Sequence, residues 1–291
     1  MKRDIQVLRN LVFGQTDKEY LTADVYRPLE GENFPAILLI HGGAFQSGSK
    51  EMYREWGHYL AREGMVAVAI NYRLATPSNP IWPDVLSDVR QAINWIVSKS
   101  HEWNIEPLRI GVVGDSAGAT LASLLAFHSH VSSYKIRAVV GVYGLYDMLD
   151  LRSSREETII KRLVGQNLKD APEVYREVSP INYVEKIVES PIFDTSFFLV
   201  WGEQDQVVHP SQSIHFASRL KEAGVPVSTL IFPKHGHFWF NLLPGIDGGS
   251  LHDYPNTKAA PAVLEYLKKE LIETELGNFS SAQISRLKEL V

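Results

Sequence analysis

Five short apolar runs, each ending in glycine or polar residues, constrain this chain more than any other feature. They are "PAILLIHGG" (35–43), "GMVAVAINY" (64–72), "LRIGVVGDS" (108–116), "IRAVVGVYG" (136–144) and "SFFLVWGEQD" (196–205). Continuous and rich in β-branched residues, they read as strands buried on both faces, since a strand with one wet face would alternate. "YLTADVYRP" (20–28) does alternate, and reads as an earlier, antiparallel, half-buried strand. Helical spacing fills the gaps. In "DVLSDVRQAINWIVSKS", Val85, Val89, Ala92, Ile93 and Ile96 fall on one face opposite charged positions, and 117–129, 211–223 and 257–272 read as helices too. Strands alternating with helices predict an α/β fold: a mostly parallel sheet with helices on both faces.

The 291 residues are 45% hydrophobic, enough for a substantial core, and no repeat or Pro/Gly/Ser-rich linker divides them. One domain spanning 1–291 is expected. Residues 146–190, charged and weakly periodic, sit between two strand runs and suit a small helical lid. In the last residues, 276–291, Ile284, Leu287 and Leu290 stand at helical spacing, which predicts a C-terminal helical tail docked on the domain or on another subunit of a homo-oligomer.

Composition removes whole classes of chemistry. The chain has no cysteine, which excludes disulfides, thiolate metal sites and a cysteine nucleophile, so any nucleophile is oxygen or nitrogen. A formal charge of -5 offers no basic excess for a phosphate backbone, and no nucleic-acid partner is expected. No apolar run approaches the roughly 18 residues of a membrane span, and "MKRDIQVLRN" lacks a signal-peptide h-region, so a cytoplasmic protein with no membrane span is expected. His128 and His130 lack carboxylates at ligand spacing, so no metal is expected there. Asp84 and Asp88 open a helix, where the dipole favours negative charge and a structural role suffices.

Ser116 stands at a strand-to-helix junction in "VVGDSAGATLA" (112–122), flanked by Gly114 and Gly118. A sharp turn there would expose its Oγ at the carboxyl end of the sheet and aim the helix's first N–H groups at an oxyanion beside it. An ordinary N-cap serine would also fit. A serine hydroxyl needs a base, an orienting carboxylate and oxyanion donors before it attacks a carbonyl. The glycine pair in "LLIHGGAFQSGS" (38–49) offers backbone donors at Gly42, Gly43 and Ala44, complementing Ala117, or is simply a tight strand-to-helix turn. Asp205 in "LVWGEQDQVVHP" ends a late strand and could orient an imidazole or cap the next helix. His235 and His237 in "LIFPKHGHFWF" follow another strand, and either could be the base.

These motifs, with "NYRLA" (71–75), "PDVLSDVRQAINWI" (83–96), "VSPINYV" (178–184) and "HGHF" (235–238), together resemble the α/β-hydrolase superfamily, in particular its HGG-motif carboxylesterases. That group includes hormone-sensitive-lipase-like, acetyl and feruloyl esterases and kynurenine formamidase-like enzymes. The resemblance implies an eight-stranded α/β-hydrolase fold and a cofactor-free serine carboxylesterase acting on small-molecule esters. It implies Ser116 as nucleophile, Asp205 as orienting acid and His237, which follows Gly and precedes an aromatic, as base. Gly42, Gly43 and Ala117 would form the oxyanion hole. The group usually carries a third glycine where this chain has Ala44. A small-amide or formamide hydrolase uses the same groups; a non-catalytic binding member would be expected to lose one of them. Ala44, Phe45, Trp82, Phe238 and Trp239 are candidate pocket residues, and Ala44 with bulky Phe45 beside the glycines predicts a crowded acyl side that favours short chains.

Overall fold

The computed structural model describes residues 3–129, 133–188, 193–241 and 249–273. Its strands are β1 (Ile5–Gln15), β2 (Tyr20–Pro28), β3 (Phe34–Ile40), β4 (Val66–Ile70), β5 (Ile105–Asp115), β6 (Ile136–Val142), β7 (Ser196–Gly202) and β8 (Val227–Phe232). The α-helices are α1 (Arg54–Arg62), α2 (Asp84–Ser98), α3 (Ser100–Trp103), α4 (Ala117–Phe127), α5 (Ser154–Val164), α6 (Pro172–Glu177), α7 (Val184–Val188), α8 (Ser211–Glu222) and α9 (Asn256–Lys268).

The strands form one sheet in the order β1-β2-β4-β3-β5-β6-β7-β8. β1 and β4 both pair antiparallel with β2, and every other pairing is parallel. Every residue of β3, β4 and β7 is buried, as continuous apolar runs require when helices cover both faces. β2 is more buried than its alternation suggests, because β1, β4 and α1 enclose it. β1, which periodicity does not reveal, is an edge strand with two register shifts that break its pattern.

Register decides where chemistry can occur. Ile40 pairs with Gly114, Gly114 with Gly141, and Gly141 with Leu199, so β3, β5, β6 and β7 end at nearly one level. The loops after them open on the same carboxyl edge, where open α/β sheets bind ligands.

α4 carries Ser116 at its N-terminus and is buried along its whole length, Ala117 to Phe127. Such a helix needs small residues at its closest approaches. A Cβ on Gly118 would lie 2.0 Å from the Ile40 carbonyl oxygen, and one on Gly114 would lie 2.2 Å from the Gly118 carbonyl oxygen. Neither position tolerates a side chain unless the backbone moves.

Residues 146–190 contribute α5, α6, a single turn at Pro180–Tyr183 and α7. α5 begins in a capping box of Ser153 and Glu156 and ends at Gly165, whose φ of 81° suits the left-handed helix stop. The segment is fastened to the rest: Leu163 accepts the N–H groups of Ile81 and Trp82 at 3.0 and 3.1 Å, and the Arg162 guanidinium donates to Gln46. The expected tail at 276–291 and His130 lie outside the described residues.

Candidate active site

Ser116 follows β5 directly, with φ 50° and ψ -119°. An L-residue adopts that left-handed region at a cost of roughly 1–3 kcal/mol, and its surroundings hold it there. Its N–H donates to Val142 at 2.8 Å, while its carbonyl accepts Ala119 and Thr120 at 3.0 and 3.3 Å. The turn leaves Oγ 3.1 Å from His237 Nε2. On the other side of the imidazole, Nδ1 lies 2.6 Å from Asp205 Oδ2. The two side chains are 2% and 1% exposed, so water does not compete for that contact.

Asp205 follows β7 and is oriented by its own loop, since Oδ1 accepts the N–H groups of Val207 and Val208 at 2.8 and 2.9 Å. These two backbone donors engage Oδ1 and leave Oδ2 to face the histidine. His237 lies in the loop after β8, pinned on both flanks. His235 accepts Gln204 N–H at 2.9 Å, Phe240 N–H donates to the Tyr143 hydroxyl at 3.2 Å, and Trp56 and Asn256 side chains donate to the Phe240 carbonyl at 3.0 and 3.1 Å. His235 is not placed with the other two: its ring packs 4.9 Å from Tyr254. A buried, oriented imidazole of this kind can draw a proton from the serine and hand it on.

The oxyanion side corrects one sequence expectation. Gly42 N–H donates to the buried Asp115 carboxylate at 2.9 Å, so it is not a free donor beside Ser116. Gly42 instead anchors the turn. Its carbonyl accepts the Nδ1–H of His41 at 2.7 Å, and because a trans peptide opposes C=O and N–H, the Gly43 N–H points the other way. The Gly43 carbonyl likewise accepts Gln46 and Ser47 N–H at 3.0 Å each, turning the Ala44 N–H outward. Among the described residues, the N–H groups of Gly43, Ala44 and Ala117 donate no hydrogen bond. Gly43, Ala44 and Phe45 have φ of 110°, 57° and 62°, three left-handed residues in a row. That conformation explains why a third glycine suits position 44, where alanine adopts it at a cost.

Two buried groups support the turn, and sequence reading gives neither a role. His41 stacks on Tyr72 with ring centroids 4.3 Å apart, and burial pulls its pKa down to about 4, so it is neutral at pH 7 and its Nδ1 carries the proton. Asp115 Oδ1 accepts Gly42 N–H at 2.9 Å, the Tyr53 hydroxyl at 3.0 Å and Asn241 Nδ2 at 3.0 Å. Burial pushes its carboxyl above the usual carboxylate range despite these bonds. The signal for Asp115 was an acid closing the apolar run 110–114.

The candidate pocket residues separate. Phe45 and Trp239 are 2% and 4% exposed, so they are core residues rather than open pocket walls: a rigid aromatic gains more by packing inward than by facing water. Phe238 is exposed, with its ring 4.7 Å from His237. Ala44 and Trp82 are half-buried. Asp88 accepts three N–H groups of Arg73, which also reaches Asp84, so both acids brace the loop after β4.

Residues 23–220 match the BD-FAE family. The chain belongs to that family. Esterase LipC of Mycobacterium tuberculosis is 30% identical over 259 residues, 83% of this chain and 62% of that one. The chain spans 50 to 62% of the length of the first curated relatives it matches. Among solved structures, a truncated carbohydrate esterase from gut microbiota matches at TM-score 0.73 with 22% identity, covering 91% of this chain and 96% of that one. Esterase 2 of Thermogutta terrifontis matches at TM-score 0.70 with 21% identity, over 94% and 95%. The likeness establishes the α/β-hydrolase fold for this BD-FAE chain, whose eight strands and carboxyl-edge loops follow that plan.

Proposed function

We propose that this chain is a serine carboxylesterase that hydrolyses short-chain acyl esters, with Ser116 as nucleophile, His237 as general base and acid, and Asp205 as orienting carboxylate. The observation that carries this reading is the single imidazole bridging Ser116 Oγ at 3.1 Å and Asp205 at 2.6 Å beside unengaged backbone N–H groups. His237 Nε2 takes the hydroxyl proton as Oγ bonds to the ester carbonyl carbon. The carbonyl electron pair moves onto oxygen, where the N–H groups of Ala117, Gly43 and Ala44 receive it. As the carbonyl re-forms, the leaving alkoxide departs with the proton from His237. Water, deprotonated by the same nitrogen, then releases the acid and regenerates Ser116. Esterase names among the BD-FAE chain's relatives support the reaction class.

The preference for short chains rests on the modest insertion. Its α5, α6 and α7 span 11, 6 and 5 residues, and α5 is fastened to the loops at Gln46 and Trp82, so among the described residues this insertion builds no large cap over a long tunnel. Each methylene that meets an apolar wall gains roughly 0.8 kcal/mol, but one that clashes loses more. On p-nitrophenyl esters below micelle-forming concentrations, catalytic efficiency should peak between acetate and butyrate and fall beyond hexanoate. A maximum at decanoate or longer overturns the short-chain reading. Faster cleavage of N-formylkynurenine than of any ester would move the protein to the amide hydrolases. Neither turnover nor labelling of Ser116 by a serine-reactive phosphonate would leave only a binding role.

A further inference from the structure

Tyr143, the first residue after β6, is a bulky aromatic with φ 39°, a conformation such residues rarely adopt. Its backbone N–H donates to Val200 at 2.7 Å, and its hydroxyl accepts the Phe240 N–H at 3.2 Å. The ring is 2% exposed, with its centroid 4.2 Å from that of His237 at an interplanar angle of 45°, and Trp239 packs edge-on against it at 5.5 Å. Burial holds the phenol well above its ordinary pKa, so the ring stays neutral. Strain of this kind persists where the surroundings over-determine it, and here they aim one ring at one imidazole.

In the reaction proposed above, on which this inference rests, His237 becomes an imidazolium while its side chain is only 2% exposed. Asp205 meets its Nδ1–H and Ser116 faces Nε2; the Asp115 carboxylate lies close enough to interact with its charge, and Phe238 packs beside it from its own loop. The other contact is the Tyr143 ring. An aromatic face is electron-rich and attracts a cation within about 6 Å of its centroid. We propose that Tyr143 is a positioning residue for His237: its ring supports the imidazolium, and its hydroxyl ties the loop that carries the histidine to β6.

Replacing Tyr143 by phenylalanine and by pentafluorophenylalanine separates these contributions, since both rings pack alike but fluorination removes the electron-rich face. The readouts are pH profiles of kcat/KM on p-nitrophenyl acetate, kcat and KM at pH 8, and melting temperature. Tyr143→Phe should keep the acid limb at the wild-type pH and lower the melting temperature, because the Phe240 N–H loses its acceptor. The fluorinated ring should move that limb down by roughly half a unit to one unit and cut kcat about threefold or more relative to Tyr143→Phe, with KM unchanged. A limb that stays in place with the fluorinated ring overturns the assignment. Wild-type turnover by Ser116→Ala would instead overturn the serine mechanism itself, so the two failures are distinguishable.

Discussion

The two ends of the sheet make left-handed turns with different residues. At the amino ends of the parallel strands, Asn33 and Asn104 take φ of 56° and 55° ahead of β3 and β5, and Gly64 and Gly224 take φ of 91° and 73° ahead of β4 and β8. Asparagine and glycine adopt this conformation cheaply. At the carboxyl ends, Ala44, Phe45, Ser116, Tyr143 and Phe238 take φ between 39° and 62°, and nothing in their side chains makes it easy. Among the described residues, all the non-glycine, non-asparagine residues with positive φ lie on that edge. Where the chain turns only to fold, it uses permissive residues. Where it turns to present an atom, the side chain or N–H decides and the backbone yields, at about 1–2 kcal/mol per residue.

The comparison breaks most visibly at Ser116. Ser116→Ala should leave the far-UV spectrum intact and reduce ester hydrolysis by about 10⁴-fold or more, measured with p-nitrophenyl acetate. Ser116→Gly should be as inactive yet more stable to urea by about 1 kcal/mol, since glycine removes the left-handed penalty. A less stable glycine variant would mean that Ser116 is not strained.

The histidines come next. His237→Ala should abolish the burst of acyl-enzyme in stopped-flow experiments, whereas His235→Ala should cost under about tenfold, because one imidazole alone meets both Ser116 and Asp205. A larger loss at His235 would contradict the geometry.

His41 makes the carboxyl edge sensitive to acid. Its folded pKa of about 4 lies below the ordinary 6.5, so the unfolded chain takes up a proton that the folded chain refuses. Its contribution to stability is therefore complete above 6.5 and is lost as pH falls towards 4, on the order of 3 kcal/mol over the window. Urea unfolding at several pH values should show this slope in the wild type. His41→Gln should flatten it, leaving a smaller slope from His58, whose pKa burial also lowers.

The smallest effect sharpens the contrast directly. Ala44→Gly should raise stability by up to about 1 kcal/mol while kcat stays within a fewfold, whereas Asn104→Gly at the opposite edge should change stability by only a few tenths. Equal gains at both positions would erase the distinction between the edges.

How much of this was legible in the sequence follows from the range of each interaction. The strands at 34–40, 66–70 and 196–202 could be read because burial on both faces leaves continuous apolar runs. That Ser116, Asp205 and His237 meet at one edge of the sheet could be read because each follows a strand end. The choice of His237 over His235 came from resemblance, since both stand on the same short loop. α1 buries Trp56, Gly57, Leu60 and Ala61, but the charged residues between them obscured that pattern in the sequence. The engagement of Gly42 was hidden because Asp115 is 73 positions away. Phe45 and Trp239 were ambiguous for a common reason: an aromatic near a loop at the sheet's carboxyl edge can face inward or outward, and sequence does not specify which.

α4 is enclosed on every side, and its close seating against β3 and β5 depends on Gly114 and Gly118. The loop bearing His237 is held mainly by side-chain bonds to Tyr143, Trp56 and Asn256. On slow warming these two parts of the machinery should separate in time. Amide protons of α4 should exchange with solvent only when the whole molecule opens, while those of residues 233–241 exchange through local openings of lower free energy. Catalysis would then fade at temperatures where the circular dichroism still reports a native sheet. Cooling before the global transition would restore it in full, because the serine never left its turn.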